Sequence, residues 1–186
     1  METKTFIKQY IGKPRIVGAI LPSSQSLASK MIEDIKFENA QCIVEYGPGT
    51  GVFTKELIRN RNTNTILLII EYNYDFYKIL KSKYKDENNL YLVHDSAENV
   101  DKYLEKYGIP YADYVVSGLP FACLPEKLST TILNKTKAVL KTDGKFITFQ
   151  YTLFKKQLIN RHFNRINIKR EFKNIPPAYI LSCNNQ

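Results

Sequence analysis

One stretch, Glu45-Tyr46-Gly47-Pro48-Gly49-Thr50-Gly51, constrains this chain more than any other. The apolar run Cys42 to Tyr46 leads into it, and Val52 to Arg59 follows with helical spacing. A strand must therefore end, turn sharply and become a helix within a few residues. Glycine, having no Cβ and tolerating positive φ, permits both the turn and the close approach of a ligand to the backbone. The helix beginning there offers free N–H groups and the positive end of its dipole. Such a turn suits a nucleotide-like ligand at the carboxyl ends of strands. Two alternatives fail on the residues. A dinucleotide G-x-G-x-x-G would need glycine where Val52 stands, and no Gly-Lys-Ser/Thr follows to make a P-loop.

The same alternation continues along the chain. Strands are predicted over Cys42 to Tyr46, Ile66 to Tyr72, Leu90 to Val93, Ala112 to Ser117 and Lys145 to Tyr151. Helices are predicted over Val52 to Arg59, Tyr74 to Tyr84, Val100 to Tyr107, Glu126 to Leu140 and Leu153 to His162. Strands alternating with helices of this length imply an α/β fold, a mostly parallel sheet with helices on both faces. Two last strands, near Arg165 to Phe172 and Ala178 to Cys183, have no helix between them and imply an antiparallel hairpin at one edge. Before the glycine turn, Ser23 or Ser24 can cap a helix reaching about Asp34, with Leu27, Met31 and Ile35 inward. Further upstream, Phe6, Ile7, Tyr10 and Ile11 recur at helical spacing among Lys4, Lys8, Lys13 and Arg15, an amphipathic basic segment limited by Pro14.

Composition narrows the class. Hydrophobic residues at 44% and charged residues at 24% suit a soluble globular protein, and 186 residues suit one domain. The longest strand-sized apolar piece, Thr65 to Ile70, is far short of a membrane span of about 20 residues. No signal-peptide pattern opens the chain, so an intracellular protein is expected. Cys42, Cys123 and Cys183 are odd in number and widely spaced, which reads as buried thiols in a reducing compartment. The formal net charge of +9 favours a polyanionic partner, nucleic acid or an anionic membrane surface.

The arrangement E-x-G-x-G-x-G from Glu45 to Gly51 resembles motif I of class I methyltransferases. The resemblance implies S-adenosylmethionine (SAM) as cofactor and a Rossmann-like, seven-stranded, mostly parallel sheet with a C-terminal antiparallel hairpin. It implies one domain over residues 1–186, with a helical N-terminal segment over 1–35 and the core over 40–186. In that family an acid ending the second strand holds both ribose hydroxyls; Glu71 stands there, 20 residues after Gly51, with Tyr72 beside it. An acid after the third strand meets the adenine amino group; Asp95 stands there, with Ser96 and Ala97 adjacent. Ser24, Glu45, Gly47, Gly49, Thr50 and Gly51 complete the expected cofactor set on the entry side, and Ser117, Gly118 and Leu119 on the far side.

The fourth strand bears on the substrate. Methyltransferases of base exocyclic amines carry Asn/Asp-Leu/Pro-Pro-Tyr/Phe there, whereas this chain reads Ser117-Gly118-Leu119-Pro120-Phe121, with a shorter, weaker acceptor and an inserted glycine. Soluble bacterial phospholipid N-methyltransferases of the rRNA adenine dimethylase-like type resemble it more closely. The shared features are Pro22-Ser23-Ser24, Glu45 to Thr54, Ser117 to Pro120, Phe146-Ile147-Thr148-Phe149-Gln150-Tyr151 and Pro176-Pro177-Ala178-Tyr179. The resemblance runs from Val17 to Cys183 and implies stepwise methylation of phosphatidylethanolamine toward phosphatidylcholine. The rRNA dimethylases also carry a helical RNA-gripping domain after the seventh strand, and none is expected here because the sequence ends at Gln186.

A lipid reading also uses the charge. Lys4, Lys8, Lys13, Arg15, Lys155, Lys156, Arg161 and Arg165 are expected to face anionic lipid from the cytoplasmic side of the membrane. The chemistry would be in-line attack of a lipid amine on the sulfonium methyl. Tyr151, Tyr179 and Tyr10 are the candidates for holding the ammonium by cation–π attraction. His94 is expected to order the loop before Asp95 rather than act as a base. The alternatives are an RNA or DNA adenine N6-methyltransferase, with nucleic acid the less favoured partner, and a non-catalytic SAM- or lipid-binding module.

Overall fold

The computed structural model describes residues 23–154 and 156–185. The expected residues Tyr10, Lys4, Lys8, Lys13, Arg15 and Lys155 lie outside them. Seven strands form one sheet: β1 (Cys42–Tyr46), β2 (Ile66–Glu71), β3 (Leu90–His94), β4 (Ala112–Ser117), β5 (Leu140–Gln150), β6 (Arg165–Glu171) and β7 (Ala178–Asn184), ordered β3-β2-β1-β4-β5-β7-β6. The first five strands are parallel, and β7 runs antiparallel between β5 and β6. Strand order reverses between β1 and β4, which opens a crevice at the carboxyl ends of both.

Among the described residues six α-helices flank the sheet: α1 (Gln25–Ile32), α2 (Val52–Asn60), α3 (Tyr74–Lys83), α4 (Val100–Lys106), α5 (Glu126–Val139) and α6 (Lys156–Asn160). Their apolar stripes fill two cores. Leu27 and Met31 of α1 and Phe53 and Leu57 of α2 pack one face of the sheet, against Ile43, Leu67, Ile69, Val116 and Ile147. Val100 and Leu104 of α4, Leu128, Ile132 and Leu133 of α5, and Leu158 and Ile159 of α6 pack the other, against Val44, Leu68, Val115 and Phe146. β1 is buried along its whole length, as a central parallel strand must be. Among the described residues no helix is long and apolar enough to cross a membrane. Cys42 and Cys183 are buried, and burial pushes the Cys42 thiol up to about 12.

Two elements depart from the sequence expectation. β5 begins at Leu140, directly after α5, rather than at Lys145. Thr142, Asp143 and Gly144 fall within an irregularity of the β4–β5 register. Helix α6 starts at Lys156 rather than Leu153, leaving Leu153 and Phe154 in the preceding loop.

Candidate active site

Backbone hydrogen bonding carries the parallel ladder past the strand ends and so builds the site. Asp95 N–H donates to the Glu71 carbonyl at 3.2 Å, Gly47 N–H to Ile70 at 2.9 Å and Gly118 N–H to Tyr46 at 2.8 Å. Three loops are thereby set in a row along the carboxyl edge of β3, β2, β1 and β4. They surround a cavity of about 360 Å³, within the roughly 300–1,000 Å³ typical of small-molecule and cofactor sites.

The loops after β1 and β4 are in direct contact. A Cβ on Gly118 would lie 2.6 Å from the Gly47 carbonyl oxygen, a distance no side chain can occupy. The inserted glycine of the fourth strand thus exists to let the two loops pass each other. A Cβ on Gly49, by contrast, would meet nothing within 4 Å, and Gly49 lines the cavity with φ +55°. Its bare backbone faces open space that a ligand can enter.

Two carboxylates stand beneath this loop. Glu71 Oε2 accepts from Gly49 N–H at 3.0 Å and Oε1 from Asn73 N–H at 2.6 Å. A carboxylate has about four lone-pair sites, so acceptor capacity remains toward the cavity that Glu71 lines. Burial raises its pKa, against the lowering pull of those backbone donors and of His94. Glu45 is fully buried; Oε2 accepts from the Thr54 hydroxyl at 2.7 Å and Oε1 has no hydrogen-bond partner among the described residues. Burial pushes its carboxyl up to about 8, the neighbouring Glu71 adding to the rise and Thr54 opposing it.

Further along the edge, Asp95 accepts from Ser96 N–H at 2.7 Å, from the Asn99 amide at 3.1 Å and from the Tyr103 hydroxyl at 2.8 Å. These fix its carboxylate at the head of α4. His94 Nε2 donates to the Tyr72 carbonyl at 2.9 Å and ties the β3 loop to the β2 loop.

Not every expected residue reaches the cavity. Gly47, Gly49, Thr50, Glu71, Tyr72, Asp95, Ser96, Ala97, Gly118, Leu119 and Tyr151 line it. Ser24 does not: its hydroxyl accepts from Leu27 N–H at 3.1 Å as the cap of α1, and its neighbour Ser23 lines the cavity instead. Gly51 caps α2, and Glu45 and Ser117 lie behind the lining. Ser117 is fully buried, and its Oγ accepts from Leu119 N–H at 3.2 Å. Tyr151 and Tyr179 sit on opposite faces of the sheet. Tyr151 packs with Phe149 on the α1–α2 side; Tyr179 pairs in register with Gln150 on the other side, its ring 5.1 Å from the Arg170 guanidinium. The expected basic face is also divided. β6 spans the sheet, so Arg165 at its start lies at the edge opposite the cavity, while Arg161 is bridged to Glu126 at 3.4 Å. Lys156, half-buried, opens α6.

Gln150 was not singled out by sequence reasoning, although it lies in the Phe146–Tyr151 motif. Its amide donates to the Leu119 carbonyl at 3.3 Å and its Oε1 accepts from Ala122 N–H at 3.2 Å. It fastens the loop after β4 to the end of β5. A buried glutamine among apolar strand residues was the available signal.

With this geometry, the comparison with known proteins is decisive at the level of family. The profile of the family described as ribosomal RNA adenine dimethylase matches residues 19–173. This chain belongs to that family. Its methyltransferase fold is shared with a precorrin-6y C5,15-methyltransferase from Geobacter metallireducens (TM-score 0.70, 14% identity, 90% of this chain and 92% of that one). It is shared too with an rRNA methylase from Streptococcus thermophilus (TM-score 0.62, 15% identity, 86% and 95%). An ornithine lipid N-methyltransferase from Singulisphaera acidiphila is 28% identical over 96% of this chain and 93% of its own length. A ribosomal RNA small subunit methyltransferase A from Clostridium botulinum is 29% identical over 54% of this chain and 36% of its own length. The chain is a SAM-dependent methyltransferase. Its site fits that cofactor: the open space at Gly49 and the free acceptor capacity of Glu71 match a ligand with ribose hydroxyls.

Proposed function

We propose that this methyltransferase acts on the amine of a membrane lipid, phosphatidylethanolamine and its methylated forms, at the cytoplasmic face of the membrane. Ser117 carries the reading. A base-amine methyltransferase presents an Asn or Asp acceptor at this position. Here the side chain is a short hydroxyl, wholly buried and engaged with its own loop at Leu119 N–H. The relative that aligns along nearly its entire length is named for lipid N-methylation.

In this reading Glu71 would accept from the ribose hydroxyls of the cofactor, Gly49 and Thr50 would offer it their backbone, and Asp95, Ser96 and Ala97 would hold its adenine end. SAM, when bound, supplies an electrophilic sulfonium methyl. The chain's own residues orient and desolvate. Gln150 and Gly118 fix the loop of Leu119 and Pro120 against the opening, and apolar side chains such as Phe149 exclude water. Tyr151 offers its ring face to an ammonium, worth about 0.5–2 kcal/mol. Burial raises its phenol pKa, so it stays a neutral phenol and not a base.

Radiolabelled methyl transfer from SAM tests the proposal, with phosphatidylethanolamine vesicles, ornithine lipid vesicles and total RNA offered in parallel. Label in phosphatidylethanolamine is expected, and its chromatographic position counts the methyl groups. Label in ornithine lipid alone would keep the lipid amine and replace the head group. Label in RNA alone would overturn the reading in favour of adenine N6-methylation, which the family and the net charge of +9 would then explain.

A further inference from the structure

The cavity opens beside a patch of side chains that the fold leaves in solvent. The loop after β5 exposes Leu153 and Phe154, the latter 82% accessible, and the turn before β7 exposes Phe172 at 65% and Ile175 at 76%. The two segments emerge together. Gln150 at the end of β5 pairs with Tyr179 at the start of β7, and Asn174 in the turn lies beside the Tyr151 side chain. Tyr151 and the next residue, Thr152, line the cavity. Large exposed apolar groups gathered at one place on a protein mark an interaction surface.

Charge identifies the occupant. The loop side contributes Lys156 and the turn side Arg170 and Lys173. From Tyr151 to Asn185 the sequence holds a single acid, Glu171, and it is buried, engaged by Lys173 N–H at 2.6 Å and facing Lys30 at 3.8 Å. Lys169, on the same strand, is already neutralised by Asp34 at 2.8 Å and Glu33 at 3.6 Å. Aliphatic and aromatic tips ringed by cations match a bilayer interface, with acyl chains below and anionic head groups around. Nucleic acid would reward the cations and the aromatic rings but not the exposed Leu153 and Ile175.

The geometry points to these two segments as a membrane-docking edge. Phe154, Phe172 and Ile175 enter the interface of an anionic bilayer, and the cavity mouth at Tyr151 and Thr152 is held against the head groups. This rests on the lipid-amine reading above. Docking there lets a lipid amine reach the site without the lipid leaving the bilayer.

The test uses the full chain and the triple variant Phe154→Ser, Phe172→Ser, Ile175→Ser. Co-sedimentation is measured with vesicles of phosphatidylethanolamine and phosphatidylglycerol. Methyl transfer is measured on those vesicles and on a short-chain, dispersed phosphatidylethanolamine, with SAM affinity by calorimetry as the control for folding. Expected are unchanged SAM affinity, vesicle binding weakened by about a hundredfold, vesicle methylation lost and dispersed-substrate methylation retained. Vesicle binding equal to wild type would overturn the docking edge, as would a wild-type chain that does not sediment with these vesicles. Loss of RNA binding with vesicle binding intact would also overturn it, assigning the patch to nucleic acid. A wild-type chain that sediments but methylates neither lipid form defeats the substrate reading instead, and the sedimentation of the variant still decides the edge.

Discussion

Glu71 and Gly49 are joined across the site by a 3.0 Å hydrogen bond from backbone N–H to carboxylate, although 22 residues separate them. The bond fixes the glycine loop over the end of β2 and aims the remaining capacity of the carboxylate into the cavity. Glu71→Ala removes both. SAM affinity is expected to fall at least about tenfold, since hydrogen bonds to a charged group are each worth roughly 1.5–3 kcal/mol. Calorimetric titration measures it, and unchanged affinity would remove Glu71 from the cofactor site.

Glu45 predicts a pH dependence of stability. Its carboxyl, ordinarily at 4.5, stands at about 8 in the fold because it is buried beside Glu71. The folded state therefore holds a proton that the unfolded chain has released, and stability falls wherever that difference exists. The contribution is fully present below about 4.5, declines as pH rises and is gone once pH has passed about 8. Glu45→Gln, which cannot ionise, should flatten the difference in melting temperature between pH 6 and pH 9 that the wild type shows.

Gly118 and Gly49 should respond differently to the same added methyl group. Gly118→Ala drives Cβ to 2.6 Å from the Gly47 carbonyl, which is backbone and cannot step aside. A loss of about 1–3 kcal/mol by urea denaturation is expected, as for other overpacked positions. Gly49→Ala has clear space around its Cβ and only the positive φ of +55° to oppose it, a cost of roughly 1–2 kcal/mol. Its distinguishing effect is on SAM affinity, because the methyl group projects into the cavity.

Gln150 holds the β4 loop from below. Gln150→Leu keeps the volume but leaves the Ala122 N–H and part of the Leu119 carbonyl without a partner. A destabilisation of about 1–3 kcal/mol follows. Methyl transfer should drop through KM for the amine and through kcat, with SAM affinity close to wild type; an unaltered KM would deny Gln150 a positioning role.

Much of the fold was legible because its signals are local. Cys42–Tyr46 and Ala112–Ser117 are strands with the bounds their apolar runs indicate, and Ser24 caps α1 as a serine before a helical stripe should. β5 begins at Leu140 rather than at the expected Lys145, so Gly144 lies inside the strand. In the fold it sits where a Cβ would be 2.9 Å from the Asp113 carbonyl, a crowding that only the neighbouring strand creates. The cavity loops were found through glycine and acid spacing, whereas Gln150 was missed because glutamine in a strand has no spacing that announces a hydrogen-bond partner.

The sequence by itself determined the alternation of strands and helices, the glycine turn and the acids that end β2 and follow β3, since periodicity and backbone freedom reside in neighbouring residues. The tertiary structure alone decided which side chains meet. Tyr151 and Tyr179 end at one edge of the sheet yet face opposite ways, because pleat and register, set by the pairing of Gln150 with Tyr179, determine the face. Arg165 and Lys173, close in sequence, are separated by the length of β6, while Phe154 and Phe172 emerge from the same edge. Glu45 acquires its raised pKa only when β1 is enclosed, for desolvation is a property of the packed neighbours and not of the residue.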